Sequence, residues 1–438
     1  MASNPIVSIF RVKELRVRLL FTLLILAVFR LGSVITIPGI NANELFRFFK
    51  DAQDSNSSLA SYLDFFVGGA FSHFSIFMLG VMPYISTQII MQLAVIIFPS
   101  LKRAVQEDGG QRKMAAWTRI GTIFVCLLQS YAVTVYAGNM VAQGYNVRVL
   151  SETTFTVLAM ITVTAGSMIT IWLGDQITNN GVGNGISMMI FAGIVARLPS
   201  AVVDLSRAVQ SGRLNLVFVI IVLAMFVAIL ALVVFEEAGE RKIPVHYAKR
   251  VIGRKMYGGQ TTYIPFKVNP SNVIPLIFAS SLLTLPVQVA SMLGFNWTNN
   301  LQPDGILYNV IMVVLIIFFA YFYTQVTLNP TEIAKNIREN GGSIPGVRTE
   351  KTEEYLQKIL NRLVLPGALF LAFIAILPTI IMSCFPGFPQ SVAMLMGGTS
   401  LIIMVGVDLD TMSQVEAILK SHHQDGLTKK GKIRSRIL

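Results

Sequence analysis

FFVGGAFSHFSIFMLGVMPYISTQIIMQLAVII (65–97) joins two unequal apolar pieces. From about Ile76 onward the run is long and apolar enough to cross a bilayer, which takes about 20 apolar residues. The piece before it, Phe65 to Phe74, is half apolar, carries Gly68 and Gly69, and is too short to cross. A short apolar segment feeding a full span reads as re-entrant or interfacial. Irregular backbone at that depth persists only where protein or a water-filled cavity surrounds it. The stretch therefore predicts a membrane protein that encloses a cavity.

Composition agrees. Hydrophobic residues fill 53% of 438 positions and charged residues only 13%, against roughly a quarter charged in soluble domains. This is an all-α polytopic pattern, which sets aside an all-β reading. The basic start (Arg11, Lys13, Arg16, Arg18) feeds a run from Leu19 to Val34 that reads as a first span rather than a cleavable signal. Cys126 and Cys384 lie in or beside apolar runs, so no disulfide is expected, and the four histidines lack metal-ligand spacing.

Apolar runs predict ten spans, at 17–36, 76–97, 116–137, 154–173, 184–203, 215–235, 271–292, 307–328, 363–383 and 392–415. Lys and Arg concentrate in the N-terminal tail, after spans two, six and eight, and in the C-terminal tail. Under alternation these segments share one side, which places both termini in the cytoplasm. Arg207 and Arg213, after span five, run against that bias. Ten spans divide into an N-terminal half (1–210) and a C-terminal half (211–438). Five spans per half inverts one half relative to the other, and inverted repeats put a pathway at their interface.

The chain has no G-x-x-x-x-G-K-[ST] loop and no Ser/His/Asp constellation, so neither that route of nucleotide hydrolysis nor an enzyme is expected. Neither a cofactor nor a metal is called for. Ionisable groups within the spans are few: Arg30, Arg119 and His73 lie near span ends, and span five carries Arg197 before Pro199. An ion-coupled transporter keeps such groups at its site. A pore lined by apolar and mildly polar side chains fits better than the alternative, an inverted-repeat secondary transporter of a small solute. An insertase or scaffold without a through-pore is a third reading.

Two inner loops, 236–270 and 329–362, are long and basic, with Gly253, Gly258, Gly259, Pro345 and Gly346 among the charges. One reading is topology plus affinity for anionic lipid. The other is a docking surface for a large acidic partner, protein or RNA particle, with turns that give the loops shape.

The runs ITIPGI (35–40), GGAFSHFSIFMLGVMPYIS (68–86), QRKMAAWTRIGT (111–122), WLGDQIT (172–178), GVGNGIS (181–187), IPVHYAKR (243–250), IPFKVN (264–269), VIPLIFASS (273–281), NPTEIAKNIRENGG (329–342) and GGTSLII (397–403) occur in one order. Over nearly its whole length the chain resembles SecY, the channel-forming α subunit of the bacterial Sec protein translocase. The resemblance implies ten helices in the cytoplasmic (inner) membrane, their halves opening like a clamshell. It implies an hourglass channel for unfolded preproteins and a lateral gate that releases apolar segments into membrane lipid. It implies SecE, SecG, the SecA ATPase and the translating ribosome with its nascent chain as partners, with no nucleic acid beyond ribosomal RNA contacts.

Residue by residue, the resemblance places the plug at about 62–74, with Phe65, Phe66, Gly68, Gly69, Phe71, His73 and Phe74. The aliphatic constriction falls on Val81, Ile85, Ile186, Ile190, Ile277 and Ile403. Its two helical pairs are four apart and so share a face. An apolar ring of this kind gates by dewetting. Lateral-gate positions are Thr87, Gln92, Gln129, Ser281 and Thr284, bonding either across the seam or to local carbonyls. Partner-coupling positions match Lys249, Arg250, Arg254 and Arg348. The family continues Gly-[Ile/Val]-Arg-Pro-Gly, whereas here Arg348 is followed by Thr349 and Glu350.

Overall fold

The computed structural model describes residues 12–54, 68–212, 215–247, 250–252, 255–257, 261–292, 305–384 and 388–427. Helix α1 (Lys13–Gly32) leads to the short amphipathic α2 (Ala42–Asp54). Helix α3 (Met82–Ile97) follows, and at Phe98 the chain bends by 108° into α4 (Pro99–Gln106). Then come α5 (Gly110–Ala142), α6 (Glu152–Asn180), α7 (Gly185–Val195), α8 (Leu198–Gln210) and α9 (Leu216–Glu237). The later half holds α10 (Ile274–Met292), α11 (Ile306–Thr327), α12 (Pro330–Glu339), α13 (Thr352–Cys384), α14 (Gln390–Met396) and α15 (Gly398–Leu427).

Six of the described helices are long and apolar enough to span a membrane, and two bent pairs raise that number to eight. Helices α1 and α10 occupy the other two of the ten expected positions. The fold is that of a multi-pass helical membrane protein. Aliphatic side chains on α1, α9 and α11, such as Leu23, Leu24, Ile220, Val227 and Val314, are exposed. On spans of this length they form the face turned to lipid.

Local sequence sets the ends. Pro83 opens α3 and Pro99 opens α4; proline is tolerated there because the first-turn N–H groups lack helical acceptors anyway. The Asn184 side chain accepts from the Ile186 and Ser187 N–H groups and caps α7. The expected fifth span, 184–203, is interrupted between α7 and α8, where Pro199 enters the first turn of α8. The expected second span starts late: 76–81 forms turns, and helix begins only at Met82.

The N-terminal helices α3, α5, α6 and α7 pack in sequence, with α1 against α6 and α7. Helix α11 joins α10 to α13. Helices before residue 211 meet helices after it along two seams. On one, α10 lies against α3 and α5; on the other, α7 meets α15 and α8 meets α14. Main-chain and side-chain bonds cross the second seam, with Gly183 N donating to Gln414 Oε1 at 2.9 Å and Ser391 Oγ donating to Asp204 Oδ2 at 2.8 Å.

The two basic loops fold together. Strand β1 (Glu240–Tyr247) pairs antiparallel with β4 (Thr261–Lys267), from Glu240 opposite Lys267 to His246 opposite Thr261. Its other edge pairs with β5 (Gly342–Ser343) from the second loop. A hairpin of β2 (Arg250–Ile252) and β3 (Lys255–Tyr257) lies between β1 and β4. Ile243 and Val245 point inward at strand period two and share a small core with Phe266, Ile337, Ile344 and Leu356. The mostly helical protein thus carries a compact β-containing module at one end.

Candidate functional site

The opening stretch is built of consecutive turns from Gly68 to Val81. It is tied to the end of α1 by a short antiparallel bridge, Thr36 opposite Ser75. Ile37 N donates to Phe74 O at 2.8 Å and Ile76 N to Ile35 O at 2.9 Å. Phe74 has φ +43 and is fully buried; Phe71 is nearly so. Tyr136 on α5 stacks on Phe74 at 6.3 Å and tilts against Phe71 at 5.8 Å, while Phe49 on α2 meets Phe71 edge-on at 6.4 Å. His73 is exposed. Phe65 and Phe66 lie outside the described residues.

At its other end the segment makes different contacts. Gly68 (φ +67) and Gly69 (φ +94) hold a left-handed turn that glycine adopts without strain. Arg30 Nη1 donates to Gly68 O at 2.6 Å. On the far side of the turn, Arg197 Nη2 comes within 3.4 Å of where a Gly69 side chain would begin. Burial of two phenylalanines is worth about 1.5–3 kcal/mol each, whereas a single charged hydrogen bond gives roughly 1.5–3 kcal/mol.

The six residues expected at the constriction belong to one large apolar cluster. Val81, Ile85, Ile190 and Ile403 lie in its buried core, and Ile186 and Ile277 pack against it half-buried. They come from the turn before α3 and from α3, α7, α10 and α15. Ile186 lies beside Gly174 of α6.

The expected lateral-gate residues lie on α3 (Thr87, Gln92), α5 (Gln129) and α10 (Ser281, Thr284). Thr87 Oγ1 donates to its own helix at Pro83 O, 2.8 Å away, and its methyl lies against Gly121 of α5. Gln92 Oε1, Gln129 Oε1 and Ser281 Oγ are buried and have no hydrogen-bond partner among the described residues. The side chain of Thr284 lies outside the described residues.

Of the expected coupling residues, Lys249 and Arg254 lie outside the described residues, and only the backbone of Arg250, in β2, is described. Arg348 is exposed. The turn before it is set by Pro345 and Gly346 (φ +78), closed by Val347 N donating to Ile344 O at 3.1 Å. Thr349 and Glu350 do not break the loop; with Lys351 they form a 3-10 turn leading into α13, and Arg338 Nη2 donates to Thr349 O at 3.2 Å.

Two features escaped sequence reasoning. Arg30 was visible only as an ionisable group near a span end, and nothing in the sequence links it to residue 68. The second is a polar node at the C-terminal end of α9. Asn269, 2% exposed, donates from Nδ2 to Glu237 Oε1 at 3.1 Å and to Asn272 O at 3.2 Å, and accepts from Ser271 Oγ at 3.0 Å. It fixes the turn from β4 into α10. Beyond Arg30 and Arg119, the expected spans contain Arg18, Arg197, Asp408 and Asp410. Arg119 of α5 pairs with Asp175 of α6 at 2.7 Å, and Glu236 and Glu237 close α9.

Against known proteins, the SecY family model matches residues 75–412. The chain is 43% identical to the protein translocase subunit SecY of Borreliella burgdorferi, over 94% of this chain and 95% of that one. It is 39% identical to the subunit of the same name from Escherichia coli K12, over 96% and 95%. A solved structure of a protein-conducting channel superposes with TM-score 0.66 at 18% identity, covering 94% of this chain and 95% of that chain. Sec61 in a canine ribosome–channel complex from the endoplasmic reticulum gives 0.63 at 17% identity, with the same two coverages.

Proposed function

The chain belongs to the SecY family, and from that premise we propose that it passes unfolded polypeptides through a pore between its two halves and releases apolar segments sideways along the α3/α5/α10 seam. Residues 1–210 and 211–438 are the two halves, related as inverted repeats. The segment 62–74, described from Gly68 onward, is the stopper, and Val81, Ile85, Ile186, Ile190, Ile277 and Ile403 form the seal around the moving chain.

One observation carries this reading most directly. A single stretch, Gly68 to Ile85, supplies both the turn-built segment and two residues of the apolar cluster. A chain entering past Val81 and Ile85 would meet that segment next. An apolar seal suits the task, because it excludes water and ions without binding any one sequence. Partitioning does the sorting: Leu gains about 0.3–0.6 kcal/mol at the membrane centre, whereas Asp, Lys or Arg cost about 2.5–3.5 kcal/mol. No covalent step is required, and the driving force comes from outside the chain.

The module built on β1, β4 and β5 is the docking surface on the cytoplasmic side, where SecA and the ribosome engage. SecE and SecG complete the heterotrimer. The protein sits in the cytoplasmic membrane with both termini inside, as the Lys/Arg distribution favours. The test is reconstitution with SecE and SecG in vesicles, adding SecA, ATP and an unfolded preprotein. Protease-protected preprotein is the expected result. Its absence, together with uptake of a small solute, would establish the transporter reading instead.

A further inference from the structure

We infer that Gln414 is a positioning residue for the apolar constriction: together with Thr22 it clamps the turn 181–184, and that clamp sets where α7 stands along α15. This rests on the channel function and the seal proposed above. Helix α7 carries Ile186 and Ile190, and α15 carries Ile403. Helix α7 (GISMMIFAGIV) has one polar side chain, Ser187, so apolar burial dominates its contact with α15. Apolar burial is non-directional. It holds two helices together without fixing their axial register. The next packing along, one residue away, shifts a helix by about 1.5 Å and turns it by about 100°. Both isoleucines would then face away from the cluster.

The turn before α7 supplies the missing direction. Gly181, Val182 and Gly183 are buried, and buried N–H groups need acceptors. Val182 N donates to Thr22 Oγ1 of α1 at 3.1 Å, and Gly183 N donates to Gln414 Oε1 of α15 at 2.9 Å. Gly185 N donates to Thr178 Oγ1 of α6 at 2.9 Å. Three helices thus each hold one N–H of a five-residue stretch, and of these three bonds the one from Gly183 reaches α15. Glycine permits the approach. A carbon on Gly181 would lie 2.5 Å from Thr22 Oγ1, and one on Gly183 (φ +87) would lie 3.0 Å from Thr411 Oγ1. Val182, 1% exposed, packs with Leu15 of α1 and with Val415 beside Gln414. Asn184 caps α7 directly after the turn, so the helix that bears Ile186 and Ile190 starts from a fixed point.

The experiment uses the full chain with SecE and SecG in proteoliposomes, reading resting ion leak alongside thermal unfolding. Gln414→Leu removes the acceptor, and Gln414→Glu keeps one. Ser391→Ala is the control. It removes another bond between residues before and after 211, but on α8 and α14, which carry none of the six constriction residues. Gln414→Leu should raise the leak about fivefold, the shift that one lost backbone hydrogen bond gives to a two-state ratio. Gln414→Glu and Ser391→Ala should leak like wild type. Thr22→Val, which takes the acceptor from Val182 N, should leak as Gln414→Leu does, and Thr22→Ser should not. That second pair decides the matter should Gln414→Leu fail to assemble. A wild-type leak in Gln414→Leu would overturn the positioning role, even with a lowered melting temperature. So would an equal leak in Gln414→Glu or in Ser391→Ala. A wild-type leak in Ile190→Asn would instead overturn the seal on which the inference depends.

Discussion

Gly68 rests backbone to backbone on Gly193: a side-chain carbon placed on Gly68 would lie 2.7 Å from both the Gly193 Cα and its carbonyl oxygen. The contact joins the opening stretch to α7 with no side chain between them. Gly68→Ala adds both a clash and a left-handed alanine, a strain of about 1–2 kcal/mol. The expected outcome is a resting ion leak several-fold above wild type with little change in overall melting. Gly109→Ala is the control, since Gly109 has φ +80 but open space around it. Equal leak from both variants would mean that backbone strain, not the Gly193 contact, matters.

The aliphatic cluster makes a second prediction. Ile190 is 6% exposed and sits on α7 four residues after Ile186. Ile190→Asn puts an amide that holds water into an apolar constriction, and the leak should rise strongly. Ile190→Val keeps the seal apolar and should cost only about 0.5–1.5 kcal/mol of stability. Conductance of single reconstituted channels checks both, and wild-type conductance in Ile190→Asn would remove this residue from the seal.

How far the sequence reached depends on the length scale of the signal. Long apolar runs located every span, because about 20 residues of hydropathy outweigh local irregularity. They misplaced the start of α3, since Ile76 to Val81 is as apolar as helix yet turns at Gly80 (φ +54) before Pro83 permits a helix to begin. The sheet was invisible for a different reason: β5 is two residues long and pairs with a strand almost a hundred positions earlier. Its only local trace is the alternation of Ile243 and Val245. The constriction positions came from the resemblance alone, because on their own Ile186 and Ile190 look like any residues of an apolar helix. The Arg30 contact was not legible, since it joins residues 38 apart through a turn whose geometry depends on Gly193.

The loop tip gives a third prediction. Arg348 is exposed beside a turn fixed by Gly346 at φ +78. Arg348→Glu reverses the charge without touching a buried group, so helix content and melting should match wild type. Motor-driven translocation should fall by about tenfold, the change produced by losing roughly 1.4 kcal/mol of docking. Gly346→Val, which strains the turn, should weaken docking with the arginine still present. Normal preprotein transport in Arg348→Glu would refute its coupling role.

The node at Asn269 predicts the sign of two neighbouring substitutions. Its amide satisfies Glu237, which is 4% exposed, and pins the turn that launches α10. Asn269→Leu leaves a buried carboxylate without that donor and should destabilise the protein by about 1–3 kcal/mol. Asn269→Asp removes the same donor and adds an acid beside Glu237, so it should be worse. Pairing Asn269→Asp with Glu237→Gln restores a donor–acceptor match and should recover part of the loss. Thermal unfolding in lipid nanodiscs gives the order, and an Asn269→Asp variant as stable as wild type would discount the node.

The seam between α3, α5 and α10 makes the last prediction. Gln129 Oε1 and Ser281 Oγ are buried there, and neither meets a partner among the described residues. A buried polar group without a hydrogen bond costs about 1–3 kcal/mol. The packing of α3, α5 and α10 is therefore less stable than apolar residues of the same size would make it. That deficit brings the open state within reach of an apolar segment, which gains only a few tenths of a kcal/mol per residue on entering lipid. Gln129→Leu with Ser281→Ala should raise the melting temperature and slow lateral release of an apolar segment, while a wholly polar preprotein still crosses. Insertion of model segments of graded hydrophobicity separates the cases: the threshold should move toward more apolar segments. An unmoved threshold with a raised melting temperature would show that these two residues stabilise the fold without governing the gate.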